Sequence, residues 1–292
     1  MDFGRVGIWS GQFRGKDEGA SRDAASELDE LGFGTLWIPG GAGGDILDVV
    51  ERSLAATTRL TLATGILNVW MHDAQEVAAR HHQLTSAYPD RFLLGLGVSH
   101  AMLIDNVGGD RTYQRPLSVM AGYLDQLDAA TPPVPVAERA LAALGPKMLE
   151  LAHDRTAGAH PYFVTPEHTA YARGILGKGP LLAPELKVVL SPEPAEARAI
   201  ARKGLEIYFQ LPNYTNNLRR LGYTEKDLAD GGSDRLVDRL VAWGGLDTVA
   251  ERIGEHRAAG ADHVCIQVLT DDPAVLPRAE WRELATLIPS ID

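Results

Sequence analysis

Between Val6 and Ile288 the chain keeps one rhythm: short apolar or β-branched runs alternate with longer stretches of helical period, and the pair recurs eight times. Val6 to Ser10, Thr35 to Ile38, Leu60 to Thr64, Phe92 to Gly97, Arg139 to Leu144, Thr156 to Ala159, Leu186 to Leu190 and His263 to Val268 read as strands. Helices are expected over Ala20 to Leu31, Ile46 to Ala56 and Asp73 to Tyr88, and from Pro116 onward. Four more are expected over Pro146 to His153, Pro166 to Leu176, Glu193 to Phe209 and Arg278 to Ile288. Gly32 suits a helix stop, and Pro116 a first helical position, where its missing N–H costs nothing. Eight strand-then-helix units predict an α/β fold, a (β/α)8 TIM barrel forming a single domain over 1–292. A doubly wound sheet is the competing architecture. It carries its phosphate fingerprint after the first strand, and here that strand leads into Gly11-Gln12-Phe13-Arg14-Gly15, which lacks the G-x-G-x-x-G spacing. Segment 210–246 exceeds a normal connection and is expected to be a helical insertion between strands seven and eight, over the active face or at a subunit contact.

Charge and cysteine content narrow the function. With 28 Lys and Arg against 39 Asp and Glu, the formal net charge is −11. That argues against sequence-independent binding to nucleic acid or an anionic membrane, since both need a basic face. Cys265, the single cysteine, excludes an intrachain disulfide and fits a reducing compartment. No stretch reaches the roughly 18 apolar residues that cross a bilayer as a helix. Met1 to Ser10 lack the charged-then-apolar pattern of a signal peptide, so a cytoplasmic protein is expected.

In a barrel the chemistry sits at the carboxyl ends of the strands. The residues there are Trp9 and Ser10, Pro39 to Gly44, Gly65 to Trp70, Val98 to His100, Gly145 to Lys147, His160 to Tyr162, and Ser191. This set is rich in glycine and poor in carboxylates, with no acidic pair placed for glycoside hydrolysis and no His-Glu-x-x-His helix. His81 and His82 are neighbours on a helix and point about 100° apart, so they do not share an ion, and no metal is expected. Two turns offer backbone N–H groups to an anion, Gly40-Gly41-Ala42-Gly43-Gly44 and Gly145-Pro146-Lys147. The first reads equally as a mobile loop, while the second opens a helix and adds a lysine. Trp9 and Trp70, at strand ends, wall an apolar substrate pocket or pack in the core. Tyr214 and Asn213, within the insertion, cap the pocket or a subunit interface. Cys265, between Val264 and Ile266, reads as a core residue.

The run Leu62-Ala63-Thr64-Gly65-Ile66, followed after a helix by Pro89-Asp90-Arg91-Phe92-Leu93-Leu94-Gly95-Leu96-Gly97-Val98, resembles the bacterial luciferase-like superfamily of flavin and deazaflavin oxidoreductases. Gly145-Pro146-Lys147-Met148-Leu149-Glu150-Leu151-Ala152 and Gly158-Ala159-His160-Pro161-Tyr162 extend the likeness over nearly the whole chain. Gly97-Val98-Ser99-His100-Ala101, with Asn213-Tyr214, is similar to the actinobacterial subset that uses coenzyme F-420, an 8-hydroxy-5-deazaflavin.

This resemblance implies a cis peptide at Gly65 and Ile66 behind the tricyclic ring, and a polar contact from Asn68 to the ring edge. It implies that Gly97, Val98 and Ser99 line the cofactor, and that His160 faces the pocket. Gly145 and Pro146 would meet its phosphate, with N–H donors from Gly145, Lys147 or Met148, since proline has none. One departure stands out: sugar-phosphate and alcohol dehydrogenases of the superfamily carry a catalytic Asp-His pair after strand two, and Gly40-Gly41 stand here. His100 is the nearest substitute, as proton donor or as holder of the ring edge, with a structural hydrogen bond as its other reading. The activity implied is hydride transfer between the deazaflavin C5 and a small-molecule substrate, in a homodimer. The alternatives are an FMN-dependent monooxygenase served by a separate reductase, and a non-catalytic flavin-binding barrel.

Overall fold

Short runs that are apolar on both faces need cover on both sides, and a parallel sheet sheathed in helices supplies it. The computed structural model describes residues 1–41, 45–107 and 113–291 and has that arrangement. In chain order the strands are β1 (Val6–Trp9), β2 (Thr35–Ile38), β3 (Thr61–Thr64), β4 (Leu67–Asn68), β5 (Phe92–Gly97) and β6 (Arg139–Leu141). They continue as β7 (Gly158–Ala159), β8 (Leu181–Leu182), β9 (Glu185–Val189), β10 (Val241–Trp243) and β11 (Val264–Val268). Neighbours run β10-β9-β11-β1-β2-β3-β5-β6-β7-β8, with β4 beside β5. Ala183 and Pro184 join β8 to β9 as one interrupted strand, and Ala183 N still donates to Ala159 O at 2.9 Å, so the sheet closes on itself. The fold is the expected TIM barrel.

Inside it, Trp9, Trp37, Ala63, Leu93, Ala140, Ala183 and Cys265 form a cluster separate from the layer between strands and helices. Indoles set against alanines fill the narrow interior. Cys265 is fully buried there, and burial raises its thiol well above the usual range, so it is a core residue. β3 and β5 approach so closely that a Cβ on Gly95 would lie 1.9 Å from Thr64 O. Helix ends follow their sequence signals. Asp17, Asp45 and Asp73 accept N–H groups of the first turns of Glu18–Leu31, Ile46–Ala55 and Ala74–Ala87. Gly32 ends the first of these at φ 89°, and Pro116 and Pro146 each open a helix.

Several expected boundaries move. Segment 210–246 holds the helices Pro212–Arg220, Glu225–Leu228 and Asp234–Leu240, but it ends in β10. On one edge of the β8–β9 strand, Leu181, Ala183 and Glu185 donate to the carbonyls of Ala157, Ala159 and Pro161, while Val189 O accepts from Gly244 N. β10 therefore continues that edge where β7 has stopped, and three residues are too few to carry a detectable period. The helix expected to reach Phe209 stops at Leu205, because Tyr208 and Phe209 turn inward onto Phe163, with ring centroids 5.2 and 5.5 Å away. The strand expected over Thr156 to Ala159 shrinks to Gly158–Ala159, since the Thr156 hydroxyl turns back to Ala152 O at 2.7 Å. Arg139 to Leu144 likewise pairs only as far as Leu141. Ala101–Val107 and Leu246–Ala258 are helices outside the expected set. Among the described residues no helix is long and apolar enough to cross a membrane.

Candidate active site

Just beyond β3 the Gly65–Ile66 peptide is cis. Both carbonyls of that bulge are held: Trp9 Nε1 donates to Gly65 O at 3.0 Å, and Gly40 N to Ile66 O at 2.9 Å. Three glycines make the approach possible. A Cβ on Gly65 would lie 2.8 Å from Trp9 Nε1, one on Gly40 2.5 Å from Ile66 O, and one on Gly97 2.4 Å from Ile66 Cδ1. No side chain fits at Gly40, so that position after β2 supplies no acid or base. The result is a floor of bare backbone carrying the Ile66 side chain, with a cavity of about 640 Å³ above it.

The walls come from separate parts of the chain. Val98, Ser99 and His100 follow β5, Gly145 and Met148 stand at the start of the helix Pro146–Arg155 after β6, and Tyr214 and Arg220 come from the insertion. Trp9, Gly65, Ile66, Asn68, Gly97 and His160 are also brought together here. Trp70 is not: its Nε1 donates to Val98 O at 2.8 Å and its ring packs on Tyr113, so it braces the wall from behind. Pro146 and Lys147 are absent from the lining, because both are exposed on the first turn of the helix Pro146–Arg155. The cation beside that turn is Arg220, whose Nη2 lies 3.8 Å from where a Gly145 Cβ would be, and whose Nη1 donates to Asn217 Oδ1 at 2.9 Å. Of the turn Gly40–Gly44, Gly41 lines the cavity, while Ala42, Gly43 and Gly44 lie outside the described residues.

Two histidines differ in what they offer. His160 stacks on Trp37 at 4.2 Å and its Nδ1 bonds Ala183 O at 2.7 Å, which places the ring proton on Nδ1. Its Nε2 is buried without a partner, 3.3 Å from the Cβ position of Gly65, and burial lowers the imidazole to about 4. A bare acceptor lone pair therefore sits beneath the floor. His100 is half-buried, faces Tyr214 at 5.0 Å, and receives the Asn213 amide N–H on Nδ1 at 3.3 Å. Desolvation lowers it to about 4, so at neutral pH it presents a neutral Nε2–H, not an acidic imidazolium. Asn68 is buried, and its Oδ1 accepts from Trp70 N at 3.1 Å. Among the described residues no group of three or more His, Cys, Asp or Glu side chains is placed to hold a metal ion.

Comparison with known families matches residues 10–263 to the luciferase-like monooxygenases. The chain belongs to this family. Solved structures similar to this luciferase-like protein include an F-420-dependent secondary alcohol dehydrogenase in complex with an F-420–acetone adduct, at 14% identity and TM-score 0.77 over 100% of both chains. A coenzyme F-420-dependent tetrahydromethanopterin reductase from Methanopyrus kandleri matches at 15% identity and TM-score 0.70, over 100% of this chain and 99% of that one. The oxygenating constituent of 3,6-diketocamphane monooxygenase from Pseudomonas putida, in complex with FMN, matches at 15% identity and TM-score 0.72, over 100% and 98%. These likenesses show the fold. No curated protein matches the chain.

Sequence reasoning missed Arg220 and Tyr208 as lining residues of the luciferase-like cavity. Tyr162 was among the strand-end residues, three past a predicted strand, but was given no role. Arg220 and Tyr208 carry no such signal, since only the packing of the insertion and of the turn before it delivers them.

Proposed function

We propose that this luciferase-like protein is an oxidoreductase that holds coenzyme F-420 on the Gly65–Ile66 floor and transfers a hydride between its C5 and a small organic substrate. The observation that carries this reading is the floor: bare backbone at Gly40, Gly65 and Gly97 beneath a cavity of about 640 Å³. A planar heteroaromatic laid face-down fits that surface. When bound, the deazaflavin supplies two-electron hydride chemistry that FMN shares but that is less diverted to oxygen.

This chain's own residues hold, orient and shield. Ile66 presses up from below between Gly65 and Gly97, and Ser99 and Asn68 stand at the ring's side. Arg220 and the open N–H groups of the helix Pro146–Arg155 hold the phosphate, the guanidinium as a charged fork and the helix end by its dipole. His100 gives a hydrogen bond from neutral Nε2–H, fixed in direction by Asn213. The aromatic side chains of Tyr162, Tyr208 and Tyr214 exclude water above the floor.

The tilt toward F-420 rests on Gly97-Val98-Ser99-His100-Ala101 and Asn213-Tyr214. An FMN-dependent monooxygenase remains the second reading, because the same floor suits a flavin and an FMN enzyme is among the similar folds. Paired fluorescence titrations of the purified protein with coenzyme F-420 and with FMN test this. Tight F-420 and weak FMN binding is the expected result. Preference for FMN, with oxygen consumed when reduced FMN is supplied, moves the function to monooxygenase. Cofactor bound but unchanged in redox state with every substrate leaves a non-catalytic barrel. The homodimer is part of the proposal, and the mass in solution checks it.

A further inference from the structure

Tyr162, just after β7, and Tyr208, in the turn Tyr208–Gln210, both line the cavity and meet hydroxyl to hydroxyl at 2.7 Å. Tyr162 also donates to Oε1 of Gln267 on β11, at 2.7 Å. A phenol has one proton to give. Tyr162 gives its own to Gln267, so the proton between the two tyrosines comes from Tyr208. What Tyr208 has left for a ligand is its lone pairs.

The pair is clamped from below. Lys187 Nζ lies 3.8 Å from the Tyr162 ring centroid and 4.9 Å from that of Tyr208. Lys187 in turn is held by both carboxylate oxygens of Glu185, at 2.9 and 3.0 Å, and each of these two side chains is 1% exposed. Glu185 also accepts from Phe163 N at 3.2 Å, tying the ion pair to the residue after Tyr162. Burial keeps both phenols protonated, pushing Tyr208 up to about 12 and Tyr162 well above its usual value. Tyr162 packs on Trp9 at 5.1 Å, and Trp9 is the residue that holds Gly65 O. The hydroxyl chain therefore stands one ring away from the floor.

We infer that the Tyr208–Tyr162–Gln267 chain is the subsite for the substrate's oxygen, and that its polarity selects a hydroxyl-bearing small molecule over a carbonyl one. The substrate O–H donates to Tyr208, Tyr208 to Tyr162, and Tyr162 to Gln267. A ketone in the same place meets a lone pair with a lone pair. The inference rests on the proposed function only in requiring that the reacting carbon lie over the floor.

Binding of cyclohexanol and of cyclohexanone, followed by tryptophan fluorescence with and without bound F-420 or FMN, tests it. The unaltered protein should bind the alcohol about three- to tenfold more tightly than the ketone, the worth of one neutral hydrogen bond. Tyr208→Phe should abolish that preference, and a melting temperature close to that of the unaltered protein reports that the variant is folded. Tyr162→Phe frees the Tyr208 proton and should reverse the preference toward the ketone, an outcome that a merely structural role does not produce. An alcohol preference that survives Tyr208→Phe or Tyr162→Phe overturns the inference, as does an unaltered protein that fails to distinguish the two ligands. If neither cofactor binds but the preference responds to Tyr208, the proposed function fails and the oxygen subsite survives. If a cofactor binds and no preference exists, the subsite alone falls.

Discussion

The floor of the cavity and its far wall are built on opposite principles. The floor is backbone: the ends of β2, β3 and β5 come so close at Gly40, Gly65 and Gly97 that even a methyl group has no room. The far wall is side chain: Tyr208, Tyr214 and Arg220 reach in from the stretch that follows the helix Pro194–Leu205, which polar contacts hold in shape. Asp227 there binds Thr224, Ser233 and Arg235, while Asp238 binds Arg198 and Trp243. A floor with no slack recognises shape and tolerates no substitution. A wall of side chains can be re-equipped without disturbing the barrel.

Acid should separate the two regions most widely. The barrel buries His81, His160, His168, His256 and His263, and burial holds His256 at about 3 and the others at about 4. Below the ordinary histidine value of 6.5 the unfolded chain takes up protons that the folded chain refuses. Each such group then costs up to about 1.4 kcal/mol per pH unit, until its native value is reached. Asp227 in the insertion is held below its usual 3.8 by Arg235 and by Thr224, so its contribution persists until the solution is more acidic than that. Melting temperature should therefore fall steeply from pH 6.5 toward 4, and a flat profile over that window would defeat the histidine account.

Gly65→Val attacks the floor directly, setting a branched side chain against Trp9 and His160. A loss of about 2–3 kcal/mol in cofactor binding is expected from the overpacking, and unchanged affinity in a titration removes the shelf from the proposal. Arg220→Ala tests the wall: loss of one charge-assisted contact should weaken cofactor binding about ten- to hundredfold, with the deficit growing as salt is lowered. Lys147→Ala is the control, and because that side chain is exposed its effect should stay within about twofold. A larger effect at Lys147 than at Arg220 returns the phosphate to the lysine. Between the arginine and this control comes His100→Ala, expected to cost about three- to tenfold in turnover for one neutral hydrogen bond. Because His100 titrates near 4, the pH profile of the unaltered enzyme should show no inflection from it near neutrality.

Part of the floor was legible in advance. Gly65 and Ile66 follow a strand end, and strand ends follow from runs of apolar residues that alternate with helices, whereas the cis peptide and the place of Gly97 were implied by the resemblance to the luciferase-like superfamily. His100 and His160 were found by the same rule, although only their surroundings show that one is a neutral donor and the other an acceptor. Trp70 satisfied the rule and turned the other way, since a strand-end position does not fix which side of the backbone a side chain takes. Lys147 was a fair guess for a cation at a helix start, but the first turn points its side chain to solvent.

The sequence by itself therefore determined the barrel and the strand ends that carry Gly65 and His100, because apolar period is a property of neighbours along the chain. The tertiary structure alone decided the wall. Tyr162, Tyr208, Gln267 and the Glu185–Lys187 pair lie on four segments far apart in sequence, and no local pattern records that they meet. Their hydroxyl chain has a direction only because buried donors and acceptors must each find a partner, and that is settled when the segments close on one another.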